Sequence, residues 1–251
     1  MGVKQRLRRI ARRAGFDLVR HPPPDLSHEL LDVARLVRPY TMTSIERINA
    51  LYEATRYVVR NRVAGAIVEC GVWRGGGMMV VARALLDAGE PDRELFLFDT
   101  FAGMVEPGPL DRRTDDTPAG EVLDSDQEYW CVSTIDEVRQ ALSKVAYPPD
   151  RIELVAGKVE ETVPARAPER IALLRLDTDW YESTRHELVH LFPRISPGGV
   201  LIVDDYGYWK GARQAVDEYV RENDLPLLLH RIDDCARVAV VPARPVQPGD
   251  G

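Results

Sequence analysis

Two short apolar runs of strand character each end in a pair of carboxylates, in segments 174–181 and 200–206. The four acidic residues are Asp177, Asp179, Asp204 and Asp205. The carboxyl ends of parallel strands form the edge at which open α/β sheets bind ligands, so these side chains are expected to converge. Converging carboxylates repel one another unless a cation lies between them, and hard oxygen ligands suit Mg²⁺, Mn²⁺ or Ca²⁺ better than zinc. The pattern predicts a divalent-metal site; the alternative is that each Asp caps a helix or turn.

A glycine-rich turn follows the first predicted strand. Residues 69–77 read Glu-Cys-Gly-Val-Trp-Arg-Gly-Gly-Gly, a composition that lets a ligand approach the backbone closely. The spacing does not match the G-x-G-x-x-G dinucleotide fingerprint, and Met78 and Met79 stand where a phosphate loop needs Lys and Ser or Thr. The turn therefore favours neither NAD nor ATP. Glu69 and Asp99, at two predicted strand ends, suit a ligand with an amino-acid head and a ribose; a capped helix start is the alternative.

The elements that would position these groups follow from the hydrophobic periodicity beyond about residue 25. Strands are predicted at 66–70, 95–99, 152–156, 171–177, 200–204, 227–232 and 236–241. Helices are predicted at 78–87, 134–146, 182–192 and 211–223. Another amphipathic helix should begin at the capping box Thr-Ser-Ile-Glu of residues 43–46, with the Thr43 hydroxyl as its cap. The alternation predicts a doubly wound α/β fold whose seven-stranded, mostly parallel sheet closes with a C-terminal antiparallel strand pair.

Composition narrows the class of protein. A chain of 251 residues with 45% hydrophobic and 29% charged residues can build one large α/β domain. No window of 18 apolar residues predicts a membrane span, and arginines interrupt the stretch where a secretory leader would need its apolar region. The three cysteines, Cys70, Cys131 and Cys235, are widely spaced and form no C-x-x-C pair. A cytoplasmic location is therefore expected.

Charge is unevenly distributed along the chain. Residues 1–24 carry seven basic side chains against Asp17, a net charge of +6. Because the whole chain has a net charge of −7, residues 25–251 carry −13. An acidic body argues against nucleic acid as a partner. Apolar residues at helical spacing in the arm, including Leu7 and Ile10, favour a surface helix that docks on a neighbouring subunit of a homodimer or larger oligomer. A peripheral membrane contact and a solvated extension are the alternatives.

An acidic, polar insert covers about residues 103–130. It lacks the ligand order of a calcium-binding loop, and a mobile lid is expected instead. Five aromatic residues are candidates for the walls of a site that binds a sugar-like ligand, with core packing as the alternative. They are Trp130, Tyr181, Tyr206, Tyr208 and Trp209.

The sequence also contains a literal H-E-x-x-H, formed by His186, Glu187 and His190. In zinc proteases this motif supplies two metal ligands and a base. Here it falls in the predicted helix between the two Asp-bearing strands, so most of it runs away from their carboxyl edge. The packing face is expected to consist of Leu188, Val189, Leu191 and Phe192, with the two histidines at the helix surface or half-buried. A zinc metalloprotease is therefore a remote alternative. A non-catalytic cofactor-binding scaffold is a second one.

Five motifs together resemble the macrocin O-methyltransferase (TylF-like) family. They are Tyr-Thr-Met-Thr-Ser at 40–44, Val-Glu-Cys-Gly-Val-Trp-Arg-Gly-Gly at 68–76, Phe-Asp-Thr-Phe-Ala-Gly-Met at 98–104, Leu-Arg-Leu-Asp-Thr-Asp-Trp-Tyr at 174–181, and Asp-Asp-Tyr-Gly-Tyr-Trp-Lys-Gly-Ala-Arg at 204–213. The resemblance covers roughly residues 40–241 and implies a class I methyltransferase, Rossmann-like fold. It divides the chain into a basic arm with a linker or helix (1–39), a methyltransferase domain (40–242) and a C-terminal tail (243–251).

The resemblance also implies roles for individual residues. The metal, Mg²⁺ or Mn²⁺, would be bound by Asp177, Asp204 and Asp205, and Asp179 would be the general base. The cofactor, S-adenosylmethionine, would be contacted by Met42, Ser44, Glu69, Gly71, Asp99 and Phe101. The implied reaction is methyl transfer to a hydroxyl of a sugar in a glycoside, an oligosaccharide or another sugar-containing natural product. A phenol or aglycone hydroxyl is the alternative acceptor.

Overall fold

Seven β-strands form one mixed sheet in the computed structural model, which describes residues 22–242. The strands are β1 Ala66–Cys70, β2 Leu95–Asp99, β3 Ile152–Ala156, β4 Ile171–Leu176, β5 Ile195–Val203, β6 His230–Arg231 and β7 Arg237–Val240. The helices are α1 His28–Val37, α2 Ile45–Arg60, α3 Gly76–Asp87, α4 Ala119–Ser125, α5 Ile135–Leu142, α6 Val159–Thr162, α7 Tyr181–Leu191 and α8 Lys210–Glu222. Short 3₁₀ turns occupy Arg38–Tyr40, Gln127–Trp130, Pro149–Arg151 and Phe192–Arg194.

The strand order is β3-β2-β1-β4-β5-β7-β6. Strands β1 to β5 pair in parallel, whereas β7 runs antiparallel to both β5 and β6. The predicted doubly wound sheet with a C-terminal antiparallel pair is confirmed. The order reverses between β1 and β4, and in open α/β sheets such a reversal opens a crevice at the carboxyl ends of the strands.

The sheet is covered on both faces because neighbouring residues in its central strands point in opposite directions. Ile67 joins a core cluster with helices α1, α2, α3 and α5, whereas Val68 joins a second cluster with α6, α7 and α8. All residues of β1 and β4 are buried, which explains why these strands read as nearly continuous apolar runs. The two charged residues in these apolar strands are Glu69 and Arg175, which are also buried and lie side by side in the register of the two strands.

Helix α2 begins one residue later than the capping box predicted. The Ser44 hydroxyl, not that of Thr43, accepts a hydrogen bond from the Arg47 amide at 3.1 Å. Ser44 also donates to Asp233 Oδ2 at 2.6 Å, so the cap ties α2 to the hairpin between β6 and β7. The Thr43 side chain is buried, and its hydroxyl has no hydrogen-bond partner among residues 22–242. The Thr43 assignment is therefore wrong.

The insert at 103–130 is packed against the domain. Its helix α4 contributes to a buried cluster with Trp180, Trp209 and Ala212. Asp111, which is 1% exposed, accepts hydrogen bonds from the amides of Gly108 at 2.7 Å and Tyr181 at 2.8 Å. These contacts fix the insert to the start of α7. The insert also contributes Gly103, Met104 and Val105 to the lining of a cleft, and its predicted mobility as a lid stays a prediction.

Two further expectations concern the ends of the chain. The arm helix with Leu7 and Ile10 and the tail at 243–251 lie outside the described residues. Within 22–242, no helix combines the length and apolar composition needed to cross a membrane.

The corrected cap leads to a first prediction. Replacing Ser44 by Ala should lower the free energy of unfolding by about 1 kcal/mol, because α2 loses its N-terminal hydrogen bond. The matched variant Thr43→Val keeps the side-chain shape and removes a hydroxyl without a partner, so it should cost less. Urea denaturation of the cofactor-free protein measures both. A greater loss for Thr43→Val would return the capping role to Thr43.

Candidate functional site

Three carboxylates converge beyond the carboxyl ends of β4 and β5. Asp177, Asp179 and Asp205 each place an oxygen within 4.8 Å of the others. Asp179 adopts φ +69°, a left-handed conformation that Asp tolerates better than most residues. The convergence expected from the two strand ends is present in this group of three.

Asp204, the fourth acid, is held differently. It is 3% exposed and faces two guanidinium groups. Its Oδ2 lies 2.5 Å from Arg47 Nη1, and its Oδ1 lies 2.9 Å from Arg175 Nη2 without an aligned hydrogen bond. The predicted metal set is thus distributed between two environments: Asp177 and Asp205 lie with Asp179, whereas Asp204 lies against the arginines.

Arg175 is the buried hub of this edge. Its Nη1 lies 2.6 Å from Glu69 Oε1 and 2.8 Å from Asp177 Oδ2. Burial raises the pKa of Glu69 to about 7, although the nearby Arg175 charge works in the opposite direction. We did not predict Arg175 or Arg47 as site residues. A signal for Arg175 was present, because an arginine inside the apolar run Leu-Arg-Leu must find buried acidic partners.

Burial makes the clustered acids difficult to ionise together. It raises the pKa of Asp179 to about 7, and the charge of Asp177 adds to this effect. Burial likewise raises the pKa values of Asp177 and Asp205 well above the usual range. Burial also opposes ionisation of Asp204, but its two arginines outweigh that effect and lower its pKa.

The donor set fits a divalent cation. Asp205 Oδ2 is buried and has no hydrogen-bond partner among the described residues. The four ionised carboxylates would carry more negative charge than the two neighbouring guanidinium groups can balance. Carboxylate oxygens at this spacing are the hard ligands that Mg²⁺ and Mn²⁺ prefer.

The glycine turn brings the end of β1 close to the carboxylates. Gly71 has φ +83°, and a Cβ atom on it would lie 2.0 Å from the Asp177 carbonyl oxygen. Only glycine fits there. Asp99 fixes the same turn, because its Oδ2 accepts from the amides of Val72 at 2.6 Å and Trp73 at 3.0 Å. The Asp99 Oδ1 accepts from the Phe101 amide at 2.8 Å.

A cleft of about 170 Å³ lies between the glycine turn and the acidic residues. The predicted cofactor residues Met42, Gly71 and Asp99 line it. Ser44, Glu69 and Phe101 do not: Ser44 bonds to Asp233, and Glu69 is buried against Arg175. An adjoining cleft of about 60 Å³ shares Gly71, Asp99 and Asp177 and continues to Gly157 and Lys158.

The five aromatic residues expected as acceptor walls do not line either cleft. Tyr181 donates its hydroxyl to Glu218 and Tyr206 donates to Asp217, both at 2.7 Å on helix α8. Trp209 is 4% exposed and directs its indole N–H to Asp179. Three of the five aromatic side chains are thus engaged in hydrogen bonds within the fold, and their role as acceptor walls stays a prediction.

The H-E-x-x-H segment does not form a zinc centre in the described residues. Glu187 is fully buried and accepts a hydrogen bond from Thr178 Oγ1 at 3.0 Å. The His186 and His190 rings lie 4.4 Å apart, centre to centre, and His186 Nε2 lies 3.0 Å from the Val163 carbonyl. Within 22–242, no third protein ligand joins the two histidines. Glu187 faces the core, whereas Val189, expected to be buried, is 42% exposed.

Comparison with known proteins identifies relatives of the whole domain. Residues 19–239 match the macrocin O-methyltransferase (TylF) family. A mycinamicin III 3''-O-methyltransferase of Micromonospora griseorubida is 34% identical over 184 residues, which cover 72% of this chain and 70% of the relative. An 8-demethyl-8-(2,3-dimethoxy-α-L-rhamnosyl)-tetracenomycin-C 4'-O-methyltransferase of Streptomyces olivaceus is 32% identical over 180 residues, 72% of this chain and 67% of the relative.

Solved structures agree with this relationship. The O-methyltransferase NovP is 32% identical and superposes with a TM-score of 0.71, covering 81% of this chain and 83% of NovP. The calicheamicin methyltransferase CalS11 is 21% identical, with a TM-score of 0.60 and coverage of 88% and 94%. The second likeness concerns the fold alone.

The buried hub leads to a second prediction. Arg175→Met should lower the free energy of unfolding by about 3–5 kcal/mol, because it leaves buried acids without their counter-charge. Adding Glu69→Gln should restore part of the loss, since one of those acids becomes neutral. Arg166→Met, which breaks the exposed pair with Glu153, is the control and should cost at most about 1 kcal/mol. Urea denaturation that gave equal losses for Arg175→Met and Arg166→Met would contradict the hub role.

Proposed function

The chain belongs to the macrocin O-methyltransferase (TylF) family, and from that premise we propose that it methylates a sugar hydroxyl in a Mg²⁺-dependent reaction. As a family member it is an S-adenosylmethionine-dependent O-methyltransferase. The sugar acceptor is supported by the rhamnosyl-tetracenomycin and mycinamicin relatives. The observation that carries the metal proposal is the group of carboxylate oxygens within 4.8 Å of one another beside the cleft.

The cofactor is proposed to lie along the glycine turn. When bound, S-adenosylmethionine supplies an electrophilic methyl group on its sulfonium. Asp99 has a carboxylate oriented by three backbone amides, and it keeps acceptor capacity for the ribose hydroxyls. Gly71 and Met42 line the same cleft, which supports their proposed contacts with the cofactor.

Ser44, Glu69 and Phe101 lie outside the cleft lining. We propose that they do not contact the cofactor directly but position the residues that line its cleft. Ser44 starts the helix after the 40–44 loop, and Glu69 fixes Arg175 beneath the turn. Phe101 lies two residues after Asp99 in a left-handed backbone conformation, and its amide donates a hydrogen bond to Asp99 Oδ1.

Asp177, Asp204 and Asp205 are proposed to hold the cation. Mg²⁺ or Mn²⁺ would lower the pKa of an acceptor hydroxyl and so favour its alkoxide form. Arg47 and Arg175 keep Asp204 ionised, as a metal ligand must be. The buried Asp205 Oδ2, which accepts no hydrogen bond from the described part of the chain, would gain a partner.

Asp179 is proposed as the general base. Its pKa of about 7 is close to the value at which a carboxylate accepts a proton efficiently at neutral pH. It lies within the same group of oxygens as Asp177 and Asp205, so it can reach a hydroxyl held there. Alignment of acceptor, base and methyl donor would then supply much of the rate.

The proposal extends to the setting of the enzyme. Its three cysteines are all free, which supports a reducing cytoplasm. The basic arm and the acidic remainder of the chain support a homo-oligomer in which the arm of one subunit docks on another. Light scattering of the protein with and without residues 1–24 tests the oligomer.

A third prediction tests the reaction and its metal together. With labelled methyl donor and a panel of free sugars, glycosides, oligosaccharides and phenols, label should enter a sugar-containing acceptor, stop with EDTA and return with Mg²⁺. Asp205→Asn should weaken Mn²⁺ binding by more than the roughly 10–100-fold that loss of an outer partner costs a metal site. Asp217→Asn, on the outer helix α8, is the control and should retain metal binding.

Full activity in the chelator would refute the metal dependence. Label in phenols alone would refute the sugar acceptor and favour a phenol O-methyltransferase.

A fourth prediction concerns the cofactor. Asp99→Ala should weaken binding of S-adenosylhomocysteine, because each charged hydrogen bond to the ribose is worth roughly 1.5–3 kcal/mol. Calorimetry measures the dissociation constant. The control is Asp150→Ala, which removes an exposed carboxylate that lines neither cleft. Equal dissociation constants for the two variants would show that Asp99 does not contact the ribose.

A further inference from the structure

The indole N–H of Trp209 is directed at the candidate base. Its Nε1 lies 2.8 Å from Asp179 Oδ2, a normal charge-assisted hydrogen bond. We propose that Trp209 is a positioning residue, which holds the Asp179 carboxylate in the orientation needed to take the acceptor proton. This inference rests on the proposed function, since it takes Asp179 as the base.

Asp179 needs such a partner. Its backbone is left-handed, and its carboxylate lies among the acidic oxygens of Asp177 and Asp205, which repel it. Within the described residues, Trp209 is the only N–H group that donates to it. Without this hydrogen bond, no described N–H group would fix the Asp179 rotamer.

Trp209 is itself fixed from several sides. Its amide donates to the Asp205 carbonyl at 3.0 Å, so the indole and one of the clustered acids share a turn. Its ring contacts the Trp180 ring edge-on at 5.1 Å, and its backbone pairs with Arg113 of the insert. It also immediately precedes helix α8. Because Trp209 is buried and held by these contacts, its indole N–H has one orientation.

The insert acquires a role from this arrangement. The residues packed around Trp209 come largely from it: Ala119, Val122 and Leu123 are buried in the same cluster. The segment outside the strong motif match therefore supports the residue that orients the base.

Trp180 provides the matched control. It is 2% exposed, lies in the same aromatic cluster and also donates its indole N–H, but to the Val105 carbonyl at 2.9 Å. Trp209→Phe and Trp180→Phe thus remove the same atoms and the same kind of buried hydrogen bond. Only the first removes it from Asp179.

A fifth prediction follows for the full-length enzyme with a sugar acceptor. Trp209→Phe should lower kcat about 10- to 100-fold, the scale of a misplaced reacting group, and leave KM for S-adenosylmethionine unchanged. Trp180→Phe should lower the melting temperature similarly but change kcat far less. Calorimetry should find Mn²⁺ and S-adenosylhomocysteine affinities of Trp209→Phe equal to those of the wild type, which shows an intact site.

A double-mutant cycle separates positioning from general damage. Asp179→Asn alone should lower kcat by about 10²–10⁴-fold. Adding Trp209→Phe should cost little more, because the group on which Trp209 acts has already lost its function. Adding Trp180→Phe to Asp179→Asn should lower kcat by the same small factor as Trp180→Phe does alone, because the two effects are independent.

Three results would overturn the inference: equal kcat losses in the two Trp variants, loss of Mn²⁺ binding in Trp209→Phe, or full additivity of Trp209→Phe with Asp179→Asn. A wild-type enzyme that methylated no sugar acceptor would instead overturn the proposed function, and the role of Trp209 with it.

Discussion

The site depends on one buried charge, the guanidinium of Arg175 inside the central strand β4. A buried ionic group is tolerated only when it is paired and hydrogen-bonded. Arg175 meets that condition through Glu69 on the adjacent strand and through Asp177 and Asp204 at the strand ends. The sheet register that places Glu69 beside Arg175 therefore also determines where the carboxylates at the strand ends lie. Packing and chemistry share the same contacts at this edge.

A second layer of contacts joins the cofactor side of the cleft to the acidic side. Arg47 on helix α2 contacts both Asp204 and Asp233, and Ser44 at the start of that helix donates to Asp233. Across the cleft, Gly71 allows the turn after β1 to approach the Asp177 backbone. The groups assigned to cofactor and metal are consequently held by one connected frame rather than by independent loops.

Sequence periodicity predicted the sheet well and the polar contacts poorly. Strands β1, β2 and β3 have the predicted bounds because each is an apolar run between clear turn signals. The cap is Ser44 and not the predicted Thr43. The additional partner of Ser44, Asp233, is 189 residues away in the sequence, so local spacing could not reveal it. Arg47 and Trp209 were missed as partners of the acids for the same reason: local spacing carries no information about which distant side chains meet. The convergence of the acids was predictable because the two Asp doublets follow neighbouring strands of one parallel sheet.

The two kinds of acid at the strand ends have environments that separate their roles. Asp204 directs one oxygen to each of two arginines, and each carboxylate oxygen retains a second lone pair that can bind a cation. Its lowered pKa keeps it ionised, as a ligand must be. Within the described residues Asp179 has no arginine partner, and burial raises its pKa to about 7. Acids whose environments move their pKa values apart are suited to different tasks, and this difference supports the proposed roles of Asp204 as ligand and Asp179 as base. Burial raises the pKa values of Asp177 and Asp205 as well, so this contrast distinguishes Asp204 from the three clustered acids. Among those three, Asp179 alone accepts the indole N–H of Trp209.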